Sequence, residues 1–142
     1  MKEVFFIKKV VCPFGDRCVG QIVSAIFKEL KIKQTHQVEF IVIGKKRMKT
    51  LNRHYRGIDK PTDVLAFAWK EENMINSKML GQVYVCYEQV CNQARQNNVP
   101  IKEEFYRMMI HGLLHCLNFD HKTKKQAKTM FNLQEIILSK LP

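Results

Sequence analysis

At 142 residues the chain is long enough for one domain, residues 1–142, with a substantial buried core. No apolar run approaches the ~20 residues of a membrane helix, and residues 1–11 are too charged (Lys2, Glu3, Lys8, Lys9) for a secretory signal, so a cytoplasmic protein with no membrane partner is expected. The formal charge of +11 and pI near 9.6 call for a polyanionic partner, most simply nucleic acid.

Residues 3–11 are rich in β-branched and aromatic types and predict a first strand, which Pro13 and Gly15 end. From Asp16, an expected N-cap, Val19, Ile22, Val23, Ile26, Phe27 and Leu30 recur at three- and four-residue spacing, the core stripe of an amphipathic helix. Residues 37–43 predict a strand with much of it buried, ended by Gly44. Lys45 to Tyr55 predict a short helix with Met48, Leu51 and Tyr55 inward and Lys45, Lys46, Arg47, Lys49 and Arg53 on its outer face.

The run Tyr55-Arg56-Gly57-Ile58-Asp59-Lys60-Pro61-Thr62-Asp63-Val64-Leu65-Ala66-Phe67 reads as a turn-rich loop entering a strand over 63–69. Arg56 suits phosphate, because a guanidinium holds two oxygens at once and keeps its charge at any working pH. A salt bridge to Asp59 or Asp63 accounts for it equally well on the residues alone. Residues 70–78 lack any period and are expected to loop.

Residues 80–87 predict a further strand, and Glu88 to Asn98 a helix with Val90, Cys91 and Ala94 inward. Ile101 to Leu117 predict a helix that buries Phe105, Met108, Met109, Leu113 and Leu117. Thr123 and Gln126 match a capping box opening a last helix over 124–139. Its first turn holds Lys124, Lys125 and Lys128, with Lys122 just before. Cations there oppose the helix dipole. With the basic run of 45–60 they are expected to frame a site with positive charge. Five cysteines, an odd number with no C-x-x-C pair, read as reduced and mostly buried thiols.

The site itself is expected at His111-Gly112-Leu113-Leu114-His115-Cys116-Leu117-Asn118-Phe119-Asp120-His121. His111 and His115 are four apart and share one helix face. A continuous helix would carry His121 away from them, so the chain must reverse between, and Asn118 tolerates the left-handed conformation that does so. Phe119 could then pack back on Leu114, and Asp120 stands ready as an outer acceptor for an imidazole. Cys116 points about 100° away from His115 and is not counted as a ligand. Three neutral imidazoles with one corner open is the pattern of a catalytic zinc site, where a bound water becomes acidic.

This motif is similar to that of the metzincin proteases, except that Gly112 stands where those enzymes carry their glutamate base. With glycine there it resembles the YbeY family of endoribonucleases, whose pattern H-G-x-L-H-x-x-G-[YF]-D-H departs from this chain only at Asn118. The 55–67 run resembles a second block of that family, with Ala66 for serine, and Leu80-Gly81-Gln82 resembles a third, with Gln82 for aspartate. The resemblance implies one zinc ion on His111, His115 and His121. It implies catalytic roles for Arg56, His111 and His115, while the positive charge expected to frame the site assigns RNA contacts to Arg56, Lys60, Lys122 and Lys124. It further implies single-strand cleavage, maturation of the 3′ end of 16S ribosomal RNA, ribosome quality control, and the small ribosomal subunit and a ribosome-assembly GTPase as partners.

Two other functions fit parts of the sequence. One is a metallopeptidase, which lacks its base and leaves the charge unexplained. The other is a non-catalytic RNA- or ribosome-binding protein with a structural metal. The expected architecture is α+β, a mixed sheet of about four strands against about five helices, one of them a metzincin-like zinc-site helix.

Overall fold

The computed structural model describes residues 2–34, 36–69 and 79–142, and the loop expected over 70–78 lies outside them. The described elements run β1 (Lys2–Lys8), α1 (Asp16–Glu29), β2 (His36–Ile43), α2 (Lys45–Arg56), β3 (Val64–Ala68), β4 (Met79–Cys86), α3 (Tyr87–Gln96), α4 (Ile101–Cys116) and α5 (Lys124–Ser139). The strands form one mixed sheet in the order β1-β2-β4-β3. β1 and β4 pair parallel to β2, and β3 lies antiparallel to β4 at the edge. This is the α+β architecture that the periodicities predict.

Period-two alternation sorts the strand residues onto two faces. Val38, Phe40, Val42, Val83 and Val85 join the larger core with Ile22 and Ile26 of α1, Phe105, Met109 and Leu113 of α4 and Met130 and Ile137 of α5. The intervening Ile41, Ile43, Leu65 and Cys86 pack with Met48 of α2. Both faces of β2 are thus covered, which is why its sequence reads as a nearly unbroken apolar run. Four of the five cysteines are buried and all five are free thiols.

Three local expectations change. Gly15 rather than Asp16 caps α1, and Asp16 is the first helical residue, where its charge suits the dipole. β1 closes at Lys8, three residues before the expected end, because its register with β2 runs out at Val42. Tyr55 is not buried inward: it is 59% exposed, resting its ring edge-on against Phe67 of the edge strand β3.

Candidate metal centre

α4 carries His111 and His115 one turn apart, with ring centroids 4.8 Å from each other. The helix stops as the asparagine predicts. Asn118 has φ 76°; its N–H donates to the His115 carbonyl at 3.1 Å, and the Phe119 N–H donates to the Leu114 carbonyl at 3.0 Å. That pair of bonds is the Schellman reversal. It returns His121 to within 5.6 Å of His111 and 5.0 Å of His115, centroid to centroid. One nitrogen from each ring lies within 4.8 Å of the other two, and among the described residues no further histidine, cysteine or acid joins them.

α5 completes the centre with two residues that the sequence analysis does not single out. Gln134 is buried and its Oε1 lies 2.9 Å from His111 Nδ1. Its Nε2 donates to Glu135 Oε2 at 3.2 Å, which fixes the amide so that the oxygen faces the ring. His111 must therefore carry its proton on Nδ1, leaving Nε2 for an ion. Glu135 is held in turn by Arg107, whose guanidinium also meets Glu104 at 2.6 Å; Glu104 accepts from Gln93 as well. Phe131, one turn before Gln134, stacks near-parallel to His111 and His121 at 5.9 and 6.0 Å. The i, i+3 spacing of Phe131 and Gln134 puts both on one face, the only sign of this role in the sequence.

Burial, the largest influence, pushes the His111 and His115 imidazoles below 6.5, their ordinary value. The neighbouring rings push the same way, while the Gln134 bond opposes for His111. A neutral imidazole is the metal-binding form. The donor set, the fixed Nδ1 proton and the burial therefore fit a borderline divalent ion such as zinc. Bonds of about 2.0–2.1 Å would draw the nitrogens in by about an ångström, a movement the exposed His121 can supply. Asp120 does not meet an imidazole: its Oδ1 accepts the His121 N–H at 2.8 Å and its Oδ2 lies 3.8 Å from Lys122 Nζ. It shapes the turn that presents His121.

The three histidines form one wall of a cleft of about 560 Å³. Arg56, the last residue of α2, lines the same cleft with Thr62, Asp63 and the edge strand β3. Gly57 at φ 71° ends the helix behind Arg56, and the buried Asn52 donates to the Lys60 carbonyl at 2.8 Å, pinning the loop that follows. Asp59 pairs with Lys49 and Arg53 instead of Arg56. Among the described residues Arg56 enters no ion pair. Among the described residues Asp63 is the one acid lining the cleft, its Oδ1 held by the Val64 N–H at 2.8 Å and the Thr62 hydroxyl at 3.2 Å.

Lys60, Lys122 and Lys124 are exposed and do not line the cleft. Lys122 and Lys124 follow His121 closely in the chain, and Lys122 pairs with Asp120. The Gly112 position is closed to any side chain, since a Cβ there would fall inside contact distance of Val83 Cγ1 and 3.2 Å from Val64 Cγ2. α4 lies on the sheet at that point, so no glutamate can stand beside His111. Gln82 sits on the other face of the sheet, donating to Glu39 at 3.3 Å, and takes no part in the centre.

Fold and cleft together define an α+β protein with a three-histidine centre able to hold one metal ion. The family model "Endoribonuclease YbeY" matches residues 14–142. An endoribonuclease YbeY of Malacoplasma penetrans is 31% identical over 136 residues, covering 96% of this chain and 91% of that protein. That of Ureaplasma urealyticum serovar 10 is 36% identical over 121 residues, covering 85% and 77%. The solution structure of TM1509 from Thermotoga maritima superposes with TM-score 0.65 at 28% identity, covering 96% of this chain and 87% of that one. The chain belongs to the YbeY family of endoribonucleases, hydrolases that act on RNA.

Proposed function

We propose that this chain is a zinc-dependent, single-strand-specific endoribonuclease that matures the 3′ end of 16S ribosomal RNA and serves ribosome quality control in the cytoplasm. Its partners on this reading are the small ribosomal subunit and a ribosome-assembly GTPase. One observation carries the catalytic part: a guanidinium unpaired among the described residues lines the same cleft as three converging imidazoles.

His111, His115 and His121 hold the ion, and burial keeps the first two neutral for it. The ion supplies Lewis acidity toward water and a phosphoryl oxygen. Arg56 clamps the non-bridging phosphate oxygens and offsets the charge that grows on them as water attacks. Asp63 accepts the proton that the attacking water loses, since the cleft holds no other described carboxylate.

A peptidase reading fails at Gly112, where the sheet leaves no room for a base. A structural metal would call for a fourth protein ligand, and among the described residues there is none. The test incubates the purified protein with single-stranded RNA, duplex RNA and casein, with and without chelator. Chelator-sensitive cutting of the single strand alone is expected. Arg56→Ala should lose about 10²–10³-fold in rate while keeping its metal. Intact RNA with a fully loaded centre, or digested casein, overturns the proposal. Small subunits bearing an unprocessed 3′ end provide the test of the ribosomal substrate.

A further inference from the structure

On the face of the sheet opposite the metal centre, a groove of about 470 Å³ runs between the C-terminal half of α2 and the β3–β4 edge. Its walls are aromatic: Tyr55, Phe67, Trp69 and Tyr84. Tyr55 and Phe67 meet edge-on at 4.8 Å, and Phe67 meets Tyr84 at 5.8 Å. Tyr55 is 59% exposed and Trp69 42%, so two large rings offer surface to solvent. Isolated exposed aromatics are ordinary, but rings grouped around a groove are not.

Two further observations say what the groove takes. The helix that forms its rim carries Lys45, Lys46, Arg47, Lys49, Arg53 and Arg56 and no acid in its twelve residues. Glu88 and Asp59 answer Lys45, Lys49 and Arg53, whereas Lys46, Arg47 and Arg56 enter no ion pair among the described residues. The groove also adjoins the metal cleft across the edge strand. Ala68 lines both, and the adjacent Tyr55 and Arg56 line one each. A chain gripped at its phosphate by Arg56 can therefore pass round the edge strand and reach the rings. Cations along a backbone track, with exposed rings beside it, are the means by which proteins hold unpaired nucleotides without reading their sequence.

We propose that this groove is a stacking subsite for unpaired bases flanking the phosphate held in the metal cleft, with Tyr55 and Trp69 as the stacking surfaces. The proposal rests on the reading of the substrate as single-stranded RNA and adds how single-strandedness is recognised. A duplex keeps its bases stacked on one another and cannot present them to the groove.

Trp69 is the only tryptophan of the chain and so reports on itself. A short single-stranded RNA is mixed with the zinc-loaded protein in stopped flow, and Trp69 emission is followed before cleavage, with cleavage of the same RNA measured afterwards. Quenching by the single strand and not by its duplex is expected. Trp69→Ala and Tyr55→Ala should each raise the Kd about fivefold or more, and Trp69→Phe should recover most of that loss. Both residues are exposed, so the core is untouched; circular dichroism checks the fold. RNA cut normally with unchanged emission, and with both alanine variants binding within twofold of the parent, overturns the groove and leaves the nuclease reading standing. That is also the result expected if the groove takes a protein segment. Quenching without any cleavage supports the groove and counts against the nuclease.

Discussion

Replacing Gln134 by leucine probes the support behind the metal centre rather than its ligands. Leucine keeps the volume of the buried glutamine but cannot accept a hydrogen bond. The His111 Nδ1–H, 2.9 Å from the glutamine oxygen, is then stranded in a buried position. Two effects follow. The metal-free fold loses about 1–3 kcal/mol for the unsatisfied donor. The ring also loses the bond that fixes its tautomer and raises its basicity, and outer supports of this kind are worth about 10–100-fold in metal affinity, about 1.4–2.7 kcal/mol. The zinc-dependent gain in stability should shrink by that second amount at a fixed excess of free zinc. At about 3 °C per kcal/mol for a chain of this size, the zinc-induced rise in Tm should fall by about 4–8 °C. Competition against a chromogenic chelator gives the affinity directly, and thermal melts with and without zinc give the rest. Zinc affinity within threefold of the parent, in a variant that still folds, would refute the argument that Gln134 orients His111.

Three other outcomes test the surrounding structure. His111 and His115 are held below 6.5 by burial, so the unfolded chain binds more protons than the fold as pH drops through and below that value. The Tm of the metal-free protein should therefore fall on acidification across that window, and the slope should flatten when both histidines are replaced by asparagine. Arg107→Leu leaves Glu104, 1% exposed, without its ion partner and should cost about 3–5 kcal/mol in denaturant melts; adding Glu104→Leu should return most of it. Gly112→Ala should cost about 1–3 kcal/mol through overpacking on Val83, with Val83→Ala as the compensating change. Equal stability of Gly112→Ala and the parent would mean that α4 does not lie on the sheet as described.

The centre was legible in the sequence where local rules suffice. Helical spacing joins His111 to His115, and the left-handed tolerance of asparagine is enough to bring His121 back, as the φ of 76° at Asn118 bears out. Gln134 and Phe131 were not legible, because nothing local separates a glutamine facing a histidine of another helix from one facing water. Tyr55 misled for a related reason. It continues the apolar stripe of α2, but there it meets only the outermost strand, through Phe67, and stays 59% exposed.

What the residues determined alone is therefore everything that depends on neighbours along the chain: the strands, the helices, the Thr123–Gln126 capping box and the reversal after α4. Only the tertiary structure decided the strand order β1-β2-β4-β3, the meeting of Arg56 with histidines far along the chain, and the closure of Gly112 against Val83. The reason is physical. Periodicity and capping act over a turn or two of backbone, whereas a cleft exists only where separate elements pack, and packing is set by the summed fit of both faces of the sheet.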